Sequence, residues 1–459
     1  MKRDNVIIAY IGGGSRNWAW TLMTDLALEE QLAGRIRLYD IDREAAGINE
    51  AIGNHLTARE EAVGKWSYQA VDSLKEVLEG ADFVIVSILP GTFEEMRSDV
   101  HGPEEYGIYQ SVGDTVGPGG FFRAMRTIPM FEEIGMAIRD YAPDAWVINY
   151  TNPMSICVKT LYRVFPQIKA VGCCHEVFGT QKLLAKVLKE QGIADHADRR
   201  EIYTNVVGIN HFTWFTQASY GNVDLLPVYD RFADKYLEEG FVDEENSDWE
   251  TNTFHFCERV KLDLFKRYGA IAAAGDRHLA EFIPEGYLDD PQTVREWKYS
   301  LTTVDWRIQD MKEKLARSRR LAAFEEEIKL ESSGEEGVAI MKALLGLGNL
   351  VTNVNFPNRG QVSNLPAGAV VESNAVIGYD SVRPVFAGEV PEGVLSCMME
   401  HVHMQENIVD IALKEKKSLD AALLLFKELS MLKKLSEQDK EALFKKMIKG
   451  TEKYLTGWE

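Results

Sequence analysis

Val6-Ile7-Ile8-Ala9-Tyr10-Ile11-Gly12-Gly13-Gly14-Ser15-Arg16-Asn17 decides the fold. Val6 to Ile11 reads as a strand, and the glycine-rich turn after it runs into a helical pattern from Trp18 to Leu32. Strand, glycine turn and helix in that order open a dinucleotide-binding unit. Gly12 permits the tight turn, Gly14 the close approach of a ligand, and backbone N–H groups of the turn can face a pyrophosphate together with the helix N-terminus. Asn17 stands where the G-x-G-x-x-G fingerprint carries its third glycine, so a plain glycine-rich turn without a ligand is the competing reading. Asp40, at the end of a second strand Ile36 to Tyr39, favours the cofactor. Its carboxylate is placed to accept from both ribose hydroxyls of NAD and would repel the 2′-phosphate of NADP, although Arg43 lies close by.

Outward from that turn, short β-rich runs alternate with helical segments. Phe83 to Ile88 reads as a buried central strand, and Trp146 to Asn149 and Ala170 to Cys173 as two more, each ending in a polar cluster. This alternation is the pattern of a parallel sheet covered on both faces, with ligands gathering at the carboxyl ends of its strands. After about Arg200 the pattern changes to long charged helical stretches (Pro291 to Arg319, Phe324 to Leu345, Met399 to Glu415, Leu419 to Leu432, Glu437 to Ile448) around β-like pieces at Ile202 to Val207 and Val370 to Val376. The expectation is an α/β protein: a Rossmann-like doubly wound parallel sheet in residues 1–198, then a mixed, helix-rich second domain in residues 199–459 that carries substrate, metal and oligomerisation surfaces. Glu239 to Asp248 reads as a solvated acidic loop.

Composition narrows the partners. At 459 residues the chain exceeds the size at which a single core keeps growing, and 45% hydrophobic with 27% charged residues is ordinary for a globular enzyme. The 51 basic against 71 acidic residues give a net charge of −20, which argues against nucleic acid and against an anionic membrane surface. One local basic pocket can still hold a single carboxylate. No apolar run reaches a membrane span and the start does not read as a signal peptide, so a cytoplasmic location is expected. Five cysteines, two of them adjacent at Cys173-Cys174, suit a reducing compartment better than a disulfide framework.

The chemistry collects in Asn149-Tyr150-Thr151-Asn152-Pro153, Gly172-Cys173-Cys174-His175-Glu176 and Gly208-Ile209-Asn210-His211. Lying downstream of the nucleotide turn, these runs bring a thiol, imidazoles and carboxamides to the reactive end of a nicotinamide. Cys174 and His211 each sit just past an expected strand, and N/S ligation suits a transition metal better than Mg²⁺. A buried strand-end cysteine is the plain alternative for Cys174. His211 is flanked by apolar residues, and a buried imidazole there needs partners.

Taken in order, the Gly12 to Ser15 turn, Gln110-Ser111-Val112-Gly113-Asp114-Thr115 with Gly117-Pro118-Gly119-Gly120, Asn149 to Pro153, Cys174-His175, Asn210-His211 and Leu365 to Glu372 resemble glycoside hydrolase family 4 across nearly the whole chain. These are the NAD- and metal-dependent glycosidases that depart from the two-carboxylate scheme. Cys174-His175-Glu176-Val177 resembles the α-galacturonidase branch. The resemblance implies a divalent metal, usually Mn²⁺, on Cys174 and His211, with Asn152 at the sugar and cofactor. It also implies substrate binding by Arg97, whose guanidinium suits a uronic carboxylate, and a homodimer or homotetramer. His175 takes the place of an acidic proton donor and is expected to donate a proton or bind substrate. The tyrosine base of several members is not evident near Ala274-Gly275-Asp276-Arg277-His278; Asp276 is the expected base, with a helix cap beside His278 as its alternative. The implied chemistry is oxidation at C3 by NAD, removal of the C2 hydrogen, elimination of the C1 substituent, addition of water and return of the hydride.

Other readings stay in view. α-Glucosidase, α-galactosidase or α-glucuronidase activity would keep the family and change the sugar. A hydroxyacid dehydrogenase would share the nucleotide half but accumulate NADH with product. An NAD-binding redox sensor using Cys173 and Cys174 would have no reason to gather Asn152, His175 and His211.

Overall fold

In the computed structural model, which describes residues 2–459, the opening strand β1 (Arg3–Ile11) lies inside a parallel sheet. Its neighbours are β2 (Leu32–Tyr39), β3 (Lys65–Ala70), β4 (Phe83–Val86), β5 (Trp146–Asn149) and β6 (Lys169–Gly172). Their order is β6-β5-β4-β1-β2-β3, all pairs parallel. This is the doubly wound nucleotide-binding arrangement, with the chain reversing its direction of growth between β1 and β4. Side-chain alternation shows why both faces need cover. Ile8 and Tyr10 enter one hydrophobic core while Ala9 and Ile11 enter another on the opposite face.

The second half extends the same sheet. β7 (Ile202–Ile209), β8 (Phe212–Tyr220), β9 (Val223–Asp224), β10 (Ile271–Ala272), β11 (Leu350–Pro357), β12 (Val370–Gly378) and β13 (Ser381–Pro384) pair antiparallel. β11 joins them to the parallel half through Asn355 opposite Gly172. The result is one 13-stranded mixed sheet, Rossmann-like at one end and helix-rich at the other. The largest core lies under the second half and takes in Phe121, Phe122, Phe212, Trp214 and Phe426.

Four expected helices are shorter than the sequence implies: Trp18 to Leu32 ends at Ala27, with Leu32 already in β2, Leu419 to Leu432 ends at Lys427, and two more are interrupted. The stretch Pro291 to Arg319 breaks into Pro291–Glu296 and Val304–Ala322, because Lys298 adopts positive φ and Thr303 caps the second helix by accepting from the Trp306 N–H. Between Phe324 and Leu345 only Gly337–Leu344 is helical. Upstream of it Glu326 turns back to pair with Arg317 and Arg320, Ser333 bonds to Asp25, and Gly334 takes positive φ. β11 is a strand with Asn353 and Asn355 buried on it, and those inward polar side chains hide the alternation that marks a strand. Among the described residues no helix is long and apolar enough to cross a membrane.

Candidate active site

The glycine turn is wired to the end of β2. The N–H groups of Gly12 and Gly13 both donate to the Tyr39 carbonyl at 2.9 Å, and Gly14 N–H donates to Asp40 Oδ2 at 2.9 Å. Gly12 has φ of +89°, and a Cβ there would lie 2.0 Å from the Ser87 carbonyl oxygen, so only glycine fits. The following helix, Trp18–Ala27, has no side-chain cap from Asn17, which leaves N-terminal N–H groups for an anion. Asp40 Oδ1 accepts from Asp42 N–H at 2.9 Å. Each of its oxygens retains a lone pair for a hydroxyl donor, and partial burial raises its carboxyl. Gly12, Gly13, Gly14, Ser15 and Asp40 thus form one compact cradle.

His211 occupies the turn between β7 and β8 with φ of +63°. Thr115 Oγ1 lies 2.9 Å from its Nδ1, which fixes the ring and leaves Nε2 as the other ligand atom. His278 packs against it with ring centroids 3.8 Å apart. Asp114 completes a trio whose ligand atoms all lie within 4.8 Å of one another. Burial works against charge on His211 and, with His278 beside it, pushes its pKa down to about 3. Burial also opposes charge on Asp114, but Arg123, His211 and His278 outweigh it and hold that carboxyl below its usual range. The Asp114 carboxylate also accepts from Asn152 Nδ2 at 3.3 Å, and Arg123 Nε donates to the Asn152 carbonyl at 3.1 Å. Asn152 is therefore tied to the trio through Asp114.

Cys174, two residues beyond β6, stands outside the trio. Its thiol meets Asn210, the residue before His211, and burial with Glu372 and Glu176 nearby pushes the thiol well up. Glu372 on β12 binds this corner together, accepting from Asn353 Nδ2 at 2.6 Å and from Asn210 Nδ2 at 3.4 Å. Its own carboxyl is pushed up to about 7 by burial. His175 begins the helix Glu176–Glu190, its ring tilted against Trp18, with Glu335 Oε1 3.7 Å from its Nδ1. Glu176 accepts from Gly275 N–H at 2.7 Å and lies 3.9 Å from His278 Nε2. Burial opposes its charge, but His278, His175 and His211 bring the carboxyl down to about 2.

Two expected site residues have other engagements. Asp276 is fully buried and accepts from the backbone N–H groups of Val260 (3.2 Å) and Lys261 (3.0 Å), at the start of the helix Arg259–Tyr268. Burial raises its carboxyl. Arg97 donates from Nη2 to Asp305 Oδ1 at 2.5 Å, with 40% of its side chain exposed.

The sequence-predicted site residues do not include Asp114, Arg123, Glu176, His278 and Glu372, which the fold brings into this cluster. Asp114 lies within a quoted motif, and His278 follows Asp276 by two positions in a helix start, so a cue for each was present. Arg123 lies in the second turn of a 25-residue helix, where nothing local marks it. The donor set suits a divalent cation: a carboxylate, two imidazoles and a thiol nearby, with His278 Nδ1, Asn152 Oδ1 and Asn210 Oδ1 buried and unpartnered among the described residues.

Comparison with known proteins matches residues 7–190 to the model of the family 4 glycosyl hydrolases and residues 206–427 to that of the family 4 glycosyl hydrolase C-terminal domain. An α-galacturonidase of Thermoanaerobacterium saccharolyticum is 57% identical over 459 residues, covering 100% of this chain and 98% of its own. The crystal structure of the Bacillus subtilis protein lplD superposes with a TM-score of 0.92 at 50% identity, covering 97% of this chain and 100% of that one. A 6-phospho-α-glucosidase from gut microorganisms, solved in complex with NAD and Mn²⁺, shares the fold at a TM-score of 0.82 and 20% identity, with 100% of both chains covered.

Proposed function

The chain belongs to glycosyl hydrolase family 4, and from that membership we propose that it cleaves α-linked galacturonides with bound NAD and a divalent transition metal, Mn²⁺ first among them. The observation that carries the sugar is the 57% identity to an α-galacturonidase along the full chain. Cys174-His175-Glu176-Val177 agrees with it. Bound NAD supplies reversible oxidation at C3 of the sugar, and the metal supplies Lewis-acid polarisation of the sugar oxygens.

The chain's own residues then have distinct tasks. Gly12, Gly13, Gly14, Ser15 and Asp40 hold the dinucleotide. Cys174 and His211 hold the metal, and Asn152 orients sugar and cofactor. Asp276 is the proposed base for the C2 hydrogen, a role in which its carboxylate would have to give up the Val260 and Lys261 N–H groups it now accepts from. His175, half exposed at the head of its helix, donates to the leaving group. The two halves meet near residue 198: residues 1–198 hold the cofactor and also contribute Asn152, Cys174 and His175, and residues 199–459 contribute His211, Asp276 and the subunit contacts. Homodimer or homotetramer assembly and a cytoplasmic location complete the reading.

The test is hydrolysis of nitrophenyl α-galacturonide in D₂O with NAD⁺, Mn²⁺ and a thiol reductant, followed by NMR of the released sugar. Deuterium at C2 without stoichiometric NADH is the expected result. Full retention of C2 protium would reject the redox-elimination route, and NADH accumulating with product would favour a dehydrogenase.

A further inference from the structure

Arg307 is a cation with no carboxylate in contact among the described residues. It lies on the helix Val304–Ala322, half-buried, and among the described residues its side chain has neither a hydrogen bond nor an ion pair. Its guanidinium sits instead 5.4 Å from the ring centroid of Phe254 and 5.8 Å from that of Trp306. The two rings meet edge to face at 5.1 Å, and Phe254 remains 46% exposed. Arg277 adds a second cation 5.3 Å from Phe254, its own N–H groups donating to the Ser300 and Ser111 carbonyls rather than to a carboxylate. Asp114 of the histidine trio is near enough to act on the charge of Arg307, so this platform adjoins the reaction centre.

Such an arrangement is unfavourable on its own. Burying part of a guanidinium with no carboxylate in hydrogen-bond reach costs free energy, and Asp114 and Asp310 act on Arg307 only from a distance. Arg97 shows the contrast: two residues before Arg307, Asp305 neutralises it. An exposed phenyl face beside an unpaired planar cation suits a ligand with an apolar face and a carboxylate. A galacturonic acid unit has both, because its axial O4 gathers C–H groups on one face of the ring and C6 is a carboxylate.

Resting on the galacturonide reading above, we propose that Arg307, framed by Phe254 and Trp306, is the group that pairs with a carboxylate of the sugar substrate and so sets the preference for uronides. The carboxylate can belong to the sugar being oxidised or to a second galacturonic acid unit serving as leaving group.

The experiment compares Arg307→Gln, Arg307→Lys and Arg97→Gln with wild type, each shown to keep its melting temperature and its NAD affinity. The substrates are nitrophenyl α-galacturonide, nitrophenyl α-galactoside and α-linked digalacturonic acid. Loss of a charge-assisted bidentate pair predicts that Arg307→Gln lowers kcat/KM on the uronide by about 10- to 100-fold relative to the galactoside, with partial recovery in Arg307→Lys. A deficit in nitrophenyl galacturonide assigns the carboxylate to the cleaved sugar, and a deficit confined to the disaccharide assigns it to the leaving unit. An unchanged uronide-to-galactoside ratio together with unchanged digalacturonate turnover in Arg307→Gln, or a ratio that collapses in Arg97→Gln instead, overturns the assignment while leaving the galacturonide reading intact. A wild type that shows no preference for uronides overturns both.

Discussion

The cofactor end and the substrate end of the sheet are built on opposite principles. At the cofactor end, Gly12, Gly13, Gly14 and Asp40 lie within 29 residues of one another in sequence, and their polar groups are already bonded to one another or to the neighbouring Tyr39 and Asp42. At the substrate end, Asp114, Asn152, Cys174, His211, His278 and Arg307 arrive from six separate segments. There the buried atoms His278 Nδ1, Asn152 Oδ1 and Asn210 Oδ1 have no protein partner among the described residues. A closed network is stable without its ligand, whereas an open one leaves desolvated polar atoms that a ligand or ion can satisfy. The two ends should therefore fail independently.

Cys174→Ser should break that independence most visibly if it is wrong. Replacing a thiolate by a hard hydroxyl is expected to lower turnover and Mn²⁺ affinity by at least about 100-fold, since loss of even an outer-shell partner costs 10- to 100-fold. NAD affinity should remain within a few-fold. Asp40→Ala should do the converse, weakening NAD by about 10- to 100-fold through loss of charge-assisted bonds to the ribose while Mn²⁺ binding is kept. Equilibrium titration of each ligand against each variant decides the matter. A Cys174→Ser enzyme with normal turnover in metal-stripped, Mn²⁺-supplemented buffer removes the thiol from the metal site, and loss of both ligands in either variant would show that the two ends are one coupled unit.

The same contrast explains what could be read from the sequence. Val6 to Asn17 and Asp40 carry their meaning locally, because turn geometry, strand end and ribose acceptor are set by neighbours along the chain. The strand order around β1 follows from that reading. β11 is harder to see because Asn353 and Asn355 point inward, and they do so to serve the Glu372 corner and the junction with β6. Asp114 and His278 become functional only when the helix Gly117–Tyr141 and the helix Asp276–Phe282 bring them to His211. The engagement of Asp276 with Val260 and Lys261, and of Arg97 with Asp305, depends on contacts 15 or more residues away. Periodicity cannot report such contacts. Family motifs point to the positions, but not to which neighbour holds each side chain.

Beneath the substrate end, His401 offers a stability test that is separate from turnover. Burial is the main reason its pKa falls to about 4, with Phe282 O 3.3 Å from its Nε2. Its ordinary value is about 6.5, so the unfolded chain takes up the proton first. The stabilising contribution is complete above about pH 6.5 and is lost as pH falls towards about 4, below which the term is flat. At about 1.4 kcal/mol per pH unit, the window is worth on the order of 3 kcal/mol. Denaturant unfolding of wild type and His401→Gln between pH 4 and 7 should give a shallower acid slope for the variant. Parallel slopes would remove His401 from the account.

Arg97→Gln should have the smallest effect, and that makes it the sharpest control on the comparison. Its ion pair with Asp305 is solvent-exposed on both partners, and pairs of that kind contribute roughly 0 to 1 kcal/mol. Deleting the guanidinium should therefore change stability by no more than that. The pair does tie the helix Phe93–His101 to the start of the helix that carries Arg307, where His101 Nε2 also accepts from the Val304 N–H at 3.2 Å. That second tie remains in the variant, so Arg307 should keep its place over Phe254. Uronide kcat/KM should fall by less than about fivefold, the factor equivalent to 1 kcal/mol. A larger loss that raises KM on the uronide alone would mean that Asp305 gives Arg97 up to the substrate carboxylate. An equal loss on uronide and galactoside would instead mean that the pair positions the whole helix, which salt titration of the wild type should reproduce because an exposed pair is screened.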